Sequence, residues 1–498
     1  MRRLASLTNS AFLFGSAETI NRLINLVAMM IASRHYGVAE FGRLGAAIAL
    51  TGILTVLTNF IAAASLTRDL CQRPERKVTI LTSYLWHRLI VMVASGALLA
   101  LGFLLAEPKL LALNLFCYLY LYGIQTVMSA RAGLMAQERF GEASVSSVTH
   151  SLLILTGAYM PVRFGLPLEM MALALAAAQV VSLAVVLILS GLHGYPLREM
   201  LRQRIDWPYI LSDLKRNIPL WLALVFISAY CRLNAVLCQA IRGDYETGLF
   251  TAAHRLFLGF GLIISVYQQV TYPRMVRDVA SEEPTARYME GSGRVVVTIA
   301  QFIALVTTLC GVRLMAALWG REFGASGGVV QILIWALALS FTNFILLNVL
   351  VAQGRLTTLM WVTFTGLCFN IAANIPMIIR FGAAGAAAST ILTEAVVLGG
   401  MLVALRQYRR ACPLLSAIVR SLVAAGAAVF AAIGARQAGV PELTTLAMGP
   451  LLYFAGVWVL RVIRRRDLAD IFRRLMPEAD HAAPRPAGRS QGGPDGGP

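Results

Sequence analysis

Lysine is nearly missing from this chain: Lys77, Lys109 and Lys215 are the only three, and none follows a glycine as the lysine of a phosphate-binding loop must. That route to nucleotide hydrolysis is excluded. Charge of either sign is scarce as well. At 14% of 498 residues, against 58% hydrophobic ones, it leaves too little polar surface to cover a soluble protein of this length. The seven cysteines (Cys71, Cys117, Cys231, Cys238, Cys310, Cys368 and Cys412) include no CxxC pair and no metal-ligand spacing. There is also no D-x-D and no H-E-x-x-H. No metal or other cofactor is expected, and the chain does not read as an enzyme.

Long apolar runs are what it has in abundance. Segments of about 20 residues, enough to cross a hydrocarbon core of about 30 Å, recur along the whole chain. Spans are expected near 11–33, 42–64, 84–105, 110–135, 143–160 and 168–191, then near 218–241, 247–270, 295–319, 329–351, 357–379 and 382–405, with a last pair at 414–433 and 446–460. The fold class is therefore all-α, a polytopic membrane protein of about fourteen transmembrane helices.

The net charge of +18 raises the question of nucleic acid, and its distribution answers it. With the N-terminus inside, the clusters Arg73, Arg76 and Lys77; Arg198, Arg202, Arg204, Lys215 and Arg216; Arg274, Arg277 and Arg287; and Arg406, Arg409 and Arg410 all fall on the cytoplasmic side. The excess is a topological signal, and no nucleic acid is expected as a partner. An even number of spans puts both termini in the cytoplasm. Arg2 and Arg3 precede an uncleaved first span, because Glu18 and Arg22 interrupt a signal-peptide core and no small-residue cleavage site follows. From Arg461 through Arg474 the pattern is that of a basic amphipathic helix lying on membrane lipids, and the Pro/Gly-rich stretch after Pro477 is expected to be disordered.

The chain also repeats itself. Gly37, Glu40, Gly42, Ala46 and Ala47 recur 206 positions later as Gly243, Glu246, Gly248, Ala252 and Ala253, and at the same offset Arg68 meets Arg274 and Arg88 meets Arg294. Further on, Ala136, Gln137 and Arg139 recur as Ala352, Gln353 and Arg355, and Arg163, Phe164 and Gly165 as Arg380, Phe381 and Gly382. Two parallel six-helix repeats follow, related by an axis along the membrane normal, with two extra C-terminal helices outside them. The expected division is an N-terminal lobe at 1–191, a cytoplasmic linker at 192–216, a C-terminal lobe at 217–405, helices thirteen and fourteen at 406–463, and a basic helix and tail at 464–498.

Ionised groups at mid-bilayer cost roughly 2.5 to 3.5 kcal/mol each, so those present should face protein or a watery cavity. Glu18, Asn21, Arg22 and Asn25 share one helical face, where Glu18 can pair with Arg22 and is otherwise a candidate for ion coupling. On the seventh span Asn217, Trp221, Ser228, Arg232 and Gln239 form a second stripe. His254 and Arg255 lie in the outer half of span eight, Glu394 within span twelve is a second candidate for ion coupling, and Arg131 is near enough to the interface to snorkel. His87 and His150 are expected near the interface. Asn370, Asn374 and Pro376 are expected to mark a bend. Arginines gathered between two halves imply an anionic ligand, because guanidinium binds phosphate through paired charge-assisted hydrogen bonds.

The run Arg34-His35-Tyr36-Gly37-Val38-Ala39-Glu40-Phe41-Gly42 resembles the R-x-LG-P-x-E-[FY]-G signature of the polysaccharide transporter family, the lipid-linked oligosaccharide flippases of the multidrug/oligosaccharidyl-lipid/polysaccharide exporter superfamily. It departs at Tyr36 and Val38, where that family usually has Leu and Pro. The stretches from Gly243 to Arg255, Ala352 to Arg355 and Gly382 to Thr390 are similar to further segments of the family. The resemblance implies a two-lobed fold of fourteen helices and no catalytic residues. It also implies export of undecaprenyl-diphosphate-linked oligosaccharide across a bacterial inner membrane, for O-antigen, capsule or exopolysaccharide, by alternating access. Polysaccharide polymerase machinery is a candidate partner. The family's cationic cavity, carried onto this chain, points to Arg22, Arg232 and Arg255, with Arg131 as a fourth. An ion-coupled multidrug exporter of the same superfamily is the alternative, and a membrane-embedded glycan polymerase or ligase a third reading.

Overall fold

The computed structural model describes residues 2–59, 63–192, 194–278, 282–408 and 414–462. The basic segment after Arg461 and the C-terminal tail lie outside them, as do Arg409, Arg410 and Cys412. The chain folds as α1 (Arg2–Leu57), α2 (Ala63–Gln72), α3 (Lys77–Ala106), α4 (Leu111–Ala136), α5 (Phe140–Arg163), α6 (Leu168–Gly191), α7 (Leu197–Arg202), α8 (Trp207–Arg242), α9 (Asp244–Asp278), α10 (Glu282–Trp319), α11 (Ser326–Leu333), α12 (Ala336–Ala352), α13 (Leu356–Ala404), α14 (Leu414–Gln437) and α15 (Glu442–Val459). Among the described residues ten helices are long and apolar enough to cross a membrane, or eleven when Arg321–Leu333 and Ala336–Ala352 count as one bent span. Leu105 and Phe430 are 78% and 82% exposed, on an exterior that only lipid would cover at no cost. The fold is that of an all-α polytopic membrane protein.

Several expected spans differ in the structure. The second was expected to reach Ala64, but its helix stops at Leu57, and Ala63–Gln72 forms a separate amphipathic helix carrying Asp69 and Arg68. The span near 329–351 is not straight: it bends by 51° between α11 and α12. A run of apolar residues gives length, and no residue in this one marks the bend.

Both α1 and α13 are pairs of helices joined at a glycine. Gly37 (φ 76, ψ −178) breaks α1, and Gly382 (φ 58, ψ −135) breaks α13; both lie in the left-handed half of φ space, which side chains other than hydrogen disfavour. Gly243, between α8 and α9, adopts nearly the same conformation as Gly37 (φ 82, ψ −175). The other repeated loops match as well: Glu138 and Gly354 have φ of 59 and 70, and Gly165 and Gly382 have 63 and 58.

One buried core joins the first-half helices to the second, with Ala28, Phe41, Ala252, Ala253, Val297, Leu333 and Ala386 among its members. At the end of the molecule that bears Gly37 and Gly243 the two sets meet tightly. Phe41 packs on Trp319 and Phe323 at centroid distances of 5.4 and 5.8 Å, and Arg34 donates to the carbonyls of Ala317 and Leu318. At the opposite, basic end, Tyr209 and Arg216 of α8 bond to Asp69 of α2 at 3.1 and 3.4 Å, and Arg76 pairs with Asp206.

Candidate functional site

The second arm of α1 (38–57) forms the seam with α8, and the two run antiparallel. Trp221 donates its indole N–H to the carbonyl of Val56 at 3.3 Å, and Arg232 lies across Gly52, where an added Cβ would sit 2.5 Å from its Nε. Gln239 shares a small pocket with Arg43, Ala46 and Ala47. The predicted α8 stripe is thus split: Trp221, Arg232 and Gln239 face the first-half helices, while Asn217 turns back onto Asp213 at 2.9 Å. Arg232 is half-buried and donates to Ser228 Oγ at 2.7 Å.

Arg255 reaches the same seam from α9, within Coulombic range of Arg232 and of Tyr120 on α4. Asn25 of α1 donates to the Tyr120 hydroxyl at 3.1 Å, and Leu26 beside it faces Gly259 of α9. Arg22 is one turn before Asn25 and Leu26 on that face and is exposed. Asn21 is half-buried next to it. His254 is stacked between Phe250 and Phe257 at 5.5 and 6.0 Å, within Coulombic range of both Arg255 and Arg232. Among the described residues no carboxylate pairs with Arg232 or Arg255. Like charges in surroundings of low dielectric repel one another, and an anion between them would relieve that repulsion.

Arg131 does not belong to this cluster. It is buried rather than snorkelling, and its Nη1 donates to Glu18 Oε1 at 2.5 Å, an oxygen that also accepts from Ser147 Oγ at 2.7 Å. Glu18, expected to pair within α1, pairs across to α4. Arg131 thus meets its counter-charge inside the protein, in Glu18. His150, expected at the interface, is buried beside them, 3.2 Å from Ser182 Oγ.

Glu394 is buried on the second arm of α13 and accepts from Ser340 Oγ and Asn343 Nδ2, each at 2.7 Å, with no basic partner among the described residues. It lies within Coulombic range of Tyr230 and Cys231, immediately before Arg232 on α8. Asn370 and Asn374, expected to mark a bend, lie in continuous helix before the break at Gly382. Both donate to Asn234 Oδ1, at 3.2 and 2.7 Å, within a largely buried network that includes Ser389, Thr390 and Thr393 and ties α8 to both arms of α13. Asn234 escaped the sequence reading, although a lone asparagine among apolar neighbours was its signal. Arg88 was seen only as a repeat match. It is buried between Tyr84 and Tyr122, with ring centroids 5.6 and 5.3 Å from its guanidinium carbon, and it donates to Ser129 Oγ at 2.7 Å. The run Gly324-Ala325-Ser326-Gly327-Gly328 has the spacing of a hydrolase nucleophile turn, but Ser326 is fully buried at the start of α11 with no strand before it.

The lipid-facing exterior and the cation-bearing seam define a multi-span α-helical membrane protein. The sequence profile of the family described as polysaccharide biosynthesis protein matches residues 7–278, more than half of the chain. The chain belongs to that family, as its glycine-rich segments implied, and is a multi-pass protein of the bacterial inner membrane. A relative from Shigella dysenteriae, provisionally named an O-antigen transporter, is 25% identical over 199 residues; that match spans 40% of this chain and half the length of the relative. Among solved structures, the lipid II flippase MurJ in an inward closed conformation is similar with a TM-score of 0.64 at 13% identity, covering 92% of this chain and all of that one. An inward-facing multidrug resistance transporter of the MATE family has a TM-score of 0.57 at 14% identity, covering 78% of this chain and 95% of that one. At such identities these structures share the fold.

Proposed function

We propose that this protein is a flippase that moves undecaprenyl-diphosphate-linked oligosaccharide from the cytoplasmic to the outer face of the inner membrane, for surface polysaccharide biosynthesis. The observation that carries this reading is the pair Arg232 and Arg255, which converge from α8 and α9 on the α1 seam with no carboxylate beside them among the described residues. A diphosphate offers the charge and the oxygen geometry that two guanidinium groups need. Exposed Arg22 would be the first cation met, with Asn21 and Asn25 available to sugar hydroxyls. The isoprenoid would stay in lipid, and the protein would act without catalytic residues.

Fourteen helices in two parallel repeats suit this cycle. The count is reached by taking the two arms of α1 and of α13 separately and adding α9 to the other spans. The paired glycine conformations at 37 and 243, and at 165 and 382, support the repeat. On this reading 1–191 and 217–405 are the lobes, 192–216 is the cytoplasmic linker, and 406–463 adds the last two helices. The basic end and both termini are cytoplasmic, and the Gly37 end faces outward. The tight meeting of the halves there then corresponds to a state closed to the outside, and rocking of the lobes would release the headgroup. The polysaccharide polymerase is the natural recipient of the product. Glu394, buried without a cation, is the group we assign to ion coupling, with Glu18 held to its structural pair. A cationic drug would be repelled at the seam, which disfavours the multidrug alternative.

The test is complementation of a deletion strain. Arg232→Ala or Arg22→Ala should abolish surface glycan with membrane protein levels unchanged. Full glycan with both variants would refute the site, and drug sensitivity of the deletion strain with intact glycan would select the exporter.

A further inference from the structure

Away from the seam, the outer face of α3, α4 and α6 holds a groove of ≈ 560 Å³, closed at the basic end by α7. No residue of α1, α8 or α9 lines it, and Leu89, Val180 and Leu201 on its walls are exposed, so it opens sideways to lipid rather than toward the cationic cluster. Two of its polar lining groups lack partners. Thr82 Oγ1 and Gln179 Oε1 make no hydrogen bond, although their residues are only 1% and 2% exposed, and buried polar atoms in folded proteins are normally paired. Thr82 is a turn and a half into α3, near the basic end, while Gln179 is halfway along α6.

The short helix α7 adds charge at the mouth. Met200 and Leu201 face into the groove, while Arg198 and Arg202, four residues apart on one side of the helix, are exposed and form no ion pair among the described residues. An apolar slot with a hydroxyl near its mouth, capped by two free arginines at the basic end, matches an anionic lipid in charge and polarity along its length.

We infer that the groove is a binding site for an anionic phospholipid of the leaflet level with α7, its acyl chain between α3 and α6 and its phosphate on Arg198 and Arg202. Thr82 would donate to the ester region. Because α7 lies in the connection between α6 and α8, the bound lipid fastens that connection to the first-half helices.

Trp86 lines the groove and reports on it. The full-length protein would be reconstituted in phosphatidylcholine vesicles carrying a minor fraction of either brominated phosphatidylglycerol or brominated phosphatidylcholine. The Trp86 signal is taken as the difference between the native protein and Trp86→Phe. Brominated phosphatidylglycerol should quench it several-fold more strongly. Arg198→Gln with Arg202→Gln should remove the difference, and the double Lys replacement should keep it. Equal quenching by the two lipids, or a preference that survives the Gln pair, would overturn the assignment. So would relief of quenching by undecaprenyl diphosphate but not by unbrominated phosphatidylglycerol, since the groove would then belong to the cargo.

Discussion

Gly42 and Gly248 meet backbone to backbone, and the contact is reciprocal: a Cβ on Gly42 would fall 1.9 Å from the carbonyl oxygen of Asp244, and one on Gly248 would fall 2.0 Å from that of Val38. Positions 42 and 248, like 38 and 244, are 206 apart, so each glycine touches the repeat counterpart of the residue its partner touches. A two-fold axis through this point would produce such a pairing. The glycines let the second arm of α1 and the start of α9 approach until no side chain fits between them.

The first prediction concerns that contact. Gly42→Ala inserts a methyl where none fits, at a cost of about 1–3 kcal/mol to the closed arrangement, enough to shift a balanced two-state equilibrium about 5- to 150-fold. With Thr251→Cys as a reporter beside Gly45, labelling by a membrane-impermeant maleimide from the Gly37 end should rise in Gly42→Ala. Unchanged labelling would mean that the contact is not a gate.

The second concerns the buried pair. Arg131→Ala leaves Glu18 without its cation, at a cost of about 3–5 kcal/mol for breaking a buried ion pair. The thermal midpoint of the purified protein should fall, and Glu18→Gln with Arg131→Met should recover much of the loss. If Arg131→Ala instead kept its melting temperature and lost glycan export, Arg131 would be a ligand after all.

This pair shows where the sequence stops being informative. Spacing along one helix sets Glu18 and Arg22 on one face, and no more than that is legible. Arg131 is 113 positions away and meets Glu18 only because α4 packs on α1. The membrane class, the helices and the glycine turns were readable because length, hydropathy and positive φ each leave a local mark. The bend between α11 and α12 and the burial of Arg88 depend on neighbours brought in by packing, and no local mark announces them; Asn234 is marked by its apolar neighbours, but its partners, 136 and 140 positions away, are not.

The third prediction concerns the asparagine network. Asn234 accepts from both Asn370 and Asn374, so Asn234→Leu leaves one N–H of each amide unpaired while the other keeps its partner, and should destabilise the protein by about 1–3 kcal/mol for each unsatisfied group. Thermal unfolding in detergent reads this directly. A midpoint equal to the native one would show that the network contributes no stability.

The fourth concerns Glu394. Glutamine has the same shape, so Glu394→Gln should fold normally while losing any response of transport to an imposed proton or sodium gradient. Proteoliposomes with and without each gradient give the readout. A gradient response equal to that of the native protein would remove Glu394 from ion coupling.

The most direct test of the central claim is the binding of undecaprenyl diphosphate to the purified protein, measured by native mass spectrometry or titration calorimetry. The native protein should bind it, and Arg232→Gln and Arg255→Gln should each weaken binding about tenfold or more, as loss of one charge-assisted contact of about 1.5–3 kcal/mol implies. Undiminished binding by the double variant would contradict the account.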